Sequence, residues 1–281
     1  MPGLTEPSRH TVYFELLDAC RRGGCPICTM TLDTVARYLD ILIYENVSDP
    51  QTRDAVVAAR GYCNDHSWQL RATSGAAFGT ALMYRDVLQH VVEEIGRRSD
   101  GAHRGLFATG RDEGGLLKRL AGLKGSSEGN GKDWGISDPH VACPAGRVRE
   151  RYERIYLGVL LDHLGAEEFT RALRSAGGLC LVHLDQASAA TRHARALERL
   201  WEVQRACLQA LDEELSEFIR KHDYRFRKEG WQGREAEAPG RAVRLAAGEP
   251  FSGPGGSSER RSGRPADASE TGDQESGASA C

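Results

Sequence analysis

The sequence predicts a mainly α-helical protein built from two pseudo-repeated helical units packed as a bundle, with a long C-terminal helix. Three observations point there. Apolar residues recur at helical spacing in one segment after another. No stretch alternates with the period of two that a half-buried strand requires. A cysteine and histidine motif occurs twice, at nearly the same internal spacing. The predicted organisation is a first helical repeat over 8–95, a flexible linker over 96–137, and a second, degenerate repeat over 138–226. A C-terminal extension over 227–250 and a disordered tail over 251–281 complete it.

The elements follow from local pattern. Val12, Tyr13, Leu16, Leu17 and Cys20 form a helical stripe that Arg21-Arg22-Gly23-Gly24 ends. Leu32, Val35, Ala36, Leu39, Leu42 and Ile43 form a second stripe between Thr31 and Tyr44. Ser48-Asp49-Pro50 reads as a cap with proline in the first turn, opening a short helix through Arg60. Gly61 fits a helix C-cap leading into Cys63. A longer helix is expected over 67–95, with Gly75 and Gly79 as candidate interruptions.

Residues 96–137 are dominated by glycine, serine and charge, with one short helix expected near Gly115–Leu123. In the second half Val148, Tyr152, Ile155, Tyr156, Val159 and Leu160 form a stripe. A short helix follows over 166–175, and Gly177-Gly178 caps it before Cys180. The stretch 186–221 reads as one helix of roughly 50 Å with a near-heptad seam through Leu197, Leu200, Trp201, Gln204, Leu208, Leu211, Leu215 and Phe218. After Phe251 no large apolar side chain occurs, which is the composition of a disordered tail.

The chain has 281 residues, 40% hydrophobic and 27% charged, with a formal net charge of -3. That near-neutral balance gives no electrostatic footprint for nucleic acid. No window approaches 18 consecutive apolar residues, so no membrane span is expected. The first ten residues carry no basic-then-apolar signal pattern, which points to the cytoplasm. In that compartment close cysteine pairs mean metal or redox chemistry more often than structural disulfides. There is no GxxxxGK[ST], no HExxH and no paired carboxylates of acid–base type, so an enzyme is the less favoured reading.

The chemistry is concentrated in Cys25-Pro-Ile-Cys28 and Cys63-Asn-Asp-His66, separated by 34 residues. Two ligand pairs, each spaced by two residues, suit a tetrahedral ion, because one turn of backbone presents two side chains to it. Cys25, Cys28, Cys63 and His66 are therefore the expected metal ligands, with one structural zinc per chain. An iron–sulfur cluster with one histidine ligand is the lesser alternative. A redox CxxC that cycles between dithiol and disulfide is the rival reading, and it leaves the CxxH pair without a role.

The second copy reads Cys143-Pro-Ala-Gly146, then Cys180-Leu-Val-His183 after 33 residues. Shifted by 118, Cys25, Pro26, Tyr38 and Leu39 meet Cys143, Pro144, Tyr156 and Leu157. Shifted by 117, Gly61, Cys63, His66 and Gln69 meet Gly178, Cys180, His183 and Gln186. Gly146 stands where the first copy has Cys28. Cys143, Cys180 and His183 are thus expected to form a degenerate second metal site with three ligands at most. Cys20 and Cys207 lie in apolar helical registers and are expected in the core.

The phrases CPIC, GYCNDHSWQL, the second CP, GLCLVHL and ELSEFIRKHDYRF resemble the bacterial family of unknown function numbered 6062, over roughly residues 8–247 apart from the linker. The resemblance implies CPxC and CxxH in both halves, a pattern from which Gly146 departs, and implies no activity. The segment Glu217–Phe226 is its C-terminal signature and is expected to pack back on the core through Tyr224 and Phe226. Together these readings lead to a metal-stabilised helical scaffold or interaction protein, with an unidentified protein as the partner class. The alternative is a thiol-based redox protein or sensor.

Overall fold

The computed structural model describes residues 7–107, 141–191, 193–231 and 233–250. The α-helices are α1 (Arg9–Arg22), α2 (Pro26–Ile41), α3 (Pro50–Ala58), α4 (Asn64–Ala72), α5 (Ala76–Phe107), α6 (Pro144–His163), α7 (Glu167–Ala176), α8 (Leu181–Ala190), α9 (Ala194–His222) and α10 (Ala238–Ala247). No strand occurs among the described residues, so the fold is mainly α.

Local chemistry explains the ends of these helices. Ser8 Oγ accepts the Thr11 N–H at 3.1 Å and caps α1. The Asp49 carboxylate accepts the Thr52 N–H at 2.8 Å and caps α3, whose first residue is Pro50. Pro26 and Pro144 open α2 and α6, where a missing N–H costs nothing. Gly177, at φ +100°, ends α7 in the left-handed conformation.

The structure refines the helix boundaries read from the sequence. The helix expected over 67–95 is two helices with the break at residues 73–75, so of its two candidate interruptions Gly75, at φ +69°, is the one that acts. Gly79 lies inside α5 as a packing glycine, because a Cβ there would come within 2.9 Å of Ile43 and 3.0 Å of Val47. The helix expected over 186–221 is likewise two helices, α8 ending at Ala190 and α9 starting at Ala194. Helix α5 also runs on to Phe107, into the segment read as linker. The short helix expected near 115–123 and the tail over 251–281 lie outside the described residues.

Helix α2 lies along α6, and this contact is the centre of the molecule. Ile27, Val35 and Leu39 of α2 and Val148, Tyr156 and Leu160 of α6 are buried. Each such side chain is worth about 1.5–3 kcal/mol on burial. Thr34 Oγ1 and the Tyr156 hydroxyl hydrogen-bond across the contact at 2.6 Å. Helix α1 packs on α2, α6 and α7; α3 and α4 pack on α5; α8 packs on α6; and α9 and α10 pack on each other. The buried side of α9 is Leu200, Val203, Gln204, Cys207 and Leu211, while Trp201 and Leu208 of the expected seam face outward. Cys20 and Cys207 are core residues, as their registers predict. Tyr224 is 84% exposed and does not dock on the core; Trp231 stacks on Phe218 instead.

One buried side chain sets the loop before α8. Gln204 Oε1 accepts the Leu179 N–H at 2.9 Å, and its Nε2 donates to the Leu179 carbonyl at 3.0 Å. Gly178 sits directly against it: a Cβ there would be 2.6 Å from Gln204 Oε1, and φ is +83°. Next door, a Cβ at Gly177 would meet nothing within 4 Å. Gly177→Ala should therefore lose only the left-handed backbone term, about 1–2 kcal/mol. Gly178→Ala should lose that and the Gln204 brace, about 2–5 kcal/mol in all. Urea denaturation of the two variants checks this, and equal losses would contradict it.

Candidate metal centre

Four cysteines occupy the same structural position. Cys25, Cys63, Cys143 and Cys180 are the N-cap residues of α2, α4, α6 and α8. An N-cap sulfur faces the free N–H groups of the first turn and the positive end of the helix dipole, which favours thiolate. Cys28, His66 and His183 lie three residues after Cys25, Cys63 and Cys180, so the first turns of α2, α4 and α8 each direct two donor atoms the same way.

The fold does not assemble these pairs as their spacing suggests. Cys25 and Cys28 stand with Cys180 and His183, not with Cys63 and His66. Cys143 stands with Cys63 and His66, not with Cys180 and His183. The reason is the packing of α2 along α6. Helix α8 also packs on α6 and brings its N-terminus to that of α2, while α4 contacts α2 and brings its N-terminus to that of α6. Each CP motif therefore meets the CxxH of the other half.

In the first cluster all four residues are buried, and their donor atoms lie within 4.8 Å of one another. His183 Nδ1 is 3.4 Å from Cys25 Sγ, 3.3 Å from Cys28 Sγ and 3.1 Å from Cys180 Sγ. Cys28 Sγ and Cys180 Sγ are 3.6 Å apart. Zinc bonds of about 2.3 Å to sulfur and 2.0–2.1 Å to nitrogen imply tetrahedral edges of about 3.5–3.8 Å. The observed separations fall at or slightly inside those edges, so the four groups fit one ion.

The surroundings complete the arrangement. His183 Nε2 lies 3.3 Å from Glu153 Oε1, which also accepts Arg149 Nε at 2.8 Å. A carboxylate behind the imidazole fixes its tautomer and leaves Nδ1 free to face the sulfurs. Gly248, at φ +87°, closes the other side: a Cβ there would be 3.4 Å from Cys28 Sγ and 3.9 Å from Cys180 Sγ.

Burial works against the charged form of His183, but hydrogen bonds to Cys180, Cys28 and Glu153 outweigh it and push its pKa up to about 11. Hydrogen bonds from Cys25 and Cys28, and from the His183 ring and N–H, hold the Cys180 thiol far below its ordinary range despite burial. Burial, then the neighbouring sulfurs of Cys180 and Cys28, push Cys25 up. Cys180 thus holds charge readily while Cys25 resists it, as like charges crowded together require.

The second cluster is smaller and more open. Cys63 is exposed, Cys143 half-buried and His66 buried. Cys63 Sγ is 3.0 Å and Cys143 Sγ 3.6 Å from His66 Nδ1, and the Cys63 N–H points to Cys143 Sγ at 3.4 Å. Burial raises the Cys143 thiol, but the His66 ring and the N–H groups of Cys63 and Gly146 bring it down to about 7.

The seven residues of the two clusters all stand out in the sequence, though in another grouping, while Glu153, Arg149 and Gly248 do not. The available signal for Glu153 was a carboxylate beside the apolar stripe of α6 with Arg149 one turn before it.

The fold and these clusters define an all-helical protein with Cys/His groups that could hold a metal ion. The chain belongs to the Family of unknown function (DUF6062), which it matches over residues 11–251. No curated protein and no solved structure matches it significantly.

Glu153→Ala should weaken metal binding at the first cluster by about 10–100-fold, the usual effect of removing a carboxylate behind a ligating histidine. Competition against a chromophoric chelator reads this out, and an unchanged affinity would contradict the role given to Glu153.

Proposed function

We infer that this protein is a non-enzymatic helical scaffold or interaction module, fastened by one structural zinc at Cys25, Cys28, Cys180 and His183. The observation that carries this reading is the buried, four-donor cluster with Glu153 behind its histidine. Three thiolates and one imidazole in a closed tetrahedron are a structural zinc set, with no position left for substrate. Donor atoms this close suit a single ion better than an iron–sulfur cluster, whose several irons spread their ligands.

The two halves are read as copies of one ancestral unit, since the cysteine-capped helices, glycine turns and CxxH motifs recur in the same order. A thiol-based redox cycle is less well supported, because it gives no role to His183 or to the Glu153–Arg149 pair behind it. Free thiols in such sets belong in a reducing compartment, which supports the cytoplasm. No helix among the described residues is long and apolar enough to cross a membrane. For an interaction role, Leu88, Val92 and Ile95 are exposed at i, i+4 and i+7 along α5, an apolar face suited to a protein partner.

The zinc reading is tested by removal of metal. A strong chelator at neutral pH, with reductant present, should lower the thermal midpoint and reduce the helical circular dichroism signal, and zinc should restore both. A metal-free protein that is fully helical and unaffected by chelator would overturn it.

A further inference from the structure

We propose that Cys63, His66 and Cys143 form a second metal site that keeps one coordination position open to a small anion from solution. It shares the metal-binding premise of the first cluster but rests on its own residues.

Three donor atoms converge there within 4.8 Å, from the N-termini of α4 and α6. No fourth donor joins them among the described residues. In α2 the residue three after the capping cysteine is Cys28, and in α6 it is Gly146. A Cβ placed at Gly146 would lie 3.4 Å from Cys143 Cβ and 3.9 Å from Cys143 Sγ, in ordinary contact, with no other group within 4 Å. Tyr38 and Tyr62 are buried near Cys143, whereas Cys63 is exposed, so the site has a closed back and an open front.

Charge separates the two sites. A divalent ion bound by three thiolates and a neutral imidazole carries a net charge of -1. Bound by two thiolates and an imidazole it is neutral, so it accepts an anionic fourth ligand where the closed site repels one. Two cysteines and one histidine are also a donor set with which zinc retains water or substrate. The ligand class is therefore a small anion that coordinates metals, such as hydroxide or a thiolate.

The test uses the full-length reduced chain loaded with cobalt(II), whose visible bands report coordination, with azide as the probe anion. Wild type should bind two equivalents, and azide should shift the bands of one of them. Cys143→Ala should keep one tight equivalent and lose the azide response. Gly146→Cys, a substitution inside a helix with room for a Cβ, should keep two equivalents, bind the second more tightly and abolish the azide response. One equivalent in wild type that Cys143→Ala leaves intact would overturn this inference while sparing the structural-zinc reading. Two equivalents with no azide response would overturn the open position. A single azide-responsive equivalent lost with Cys143→Ala would instead overturn the structural-zinc reading and leave this inference standing.

Discussion

The packing of α2 along α6 decides which sulfurs meet, and the rest of the structure depends on it. Cys25 and His183 are 158 residues apart in the chain, whereas Cys25 and His66 are separated by 41. Closing the longer loop costs only about 1 kcal/mol more, since loop entropy grows with the logarithm of length. One buried leucine outweighs that, at about 1.5–3 kcal/mol. The α2–α6 contact buries several such side chains, so burial overrides the local pairing that sequence proximity favours. A metal at the first cluster would then tie the two halves of the chain together, not each half to itself.

The two clusters share a plan and differ in finish. Gly146 removes one donor from the second. The position 118 residues before Glu153 is Val35, so the second cluster also has no carboxylate at the place where Glu153 supports His183. Arg149 has Thr31 at the corresponding position. Burial follows the same division: all four residues of the first cluster are enclosed, and Gly248 covers two of its sulfurs, whereas Cys63 faces solvent. Ligand number, support and enclosure change together, which is the physical basis for assigning the clusters different roles.

Much of this was legible in the sequence. The helical class, the caps at Asp49 and Gly177, the core character of Cys20 and Cys207 and every donor residue follow from local pattern. The partition of the donors did not, because spacing reports which side chains share a turn and is silent on which turns meet. The break at Gly75 is among the interruptions that the glycines offer, whereas 186–221 reads as one helix because no glycine or proline marks the end of α8 at Ala190. Glu153 escaped notice because a lone carboxylate on a helix ordinarily belongs to a solvated face, and only the arrival of His183 beside it changes that reading.

The central claim is that the halves exchange ligands. Zinc content and zinc X-ray absorption of two full-length variants, Cys63→Ala and His183→Ala, test it most directly. The account predicts that Cys63→Ala retains a tightly bound zinc with three sulfur and one nitrogen neighbours, and that His183→Ala loses it. Retention in His183→Ala with loss in Cys63→Ala would show that each half binds metal on its own, and would contradict the account.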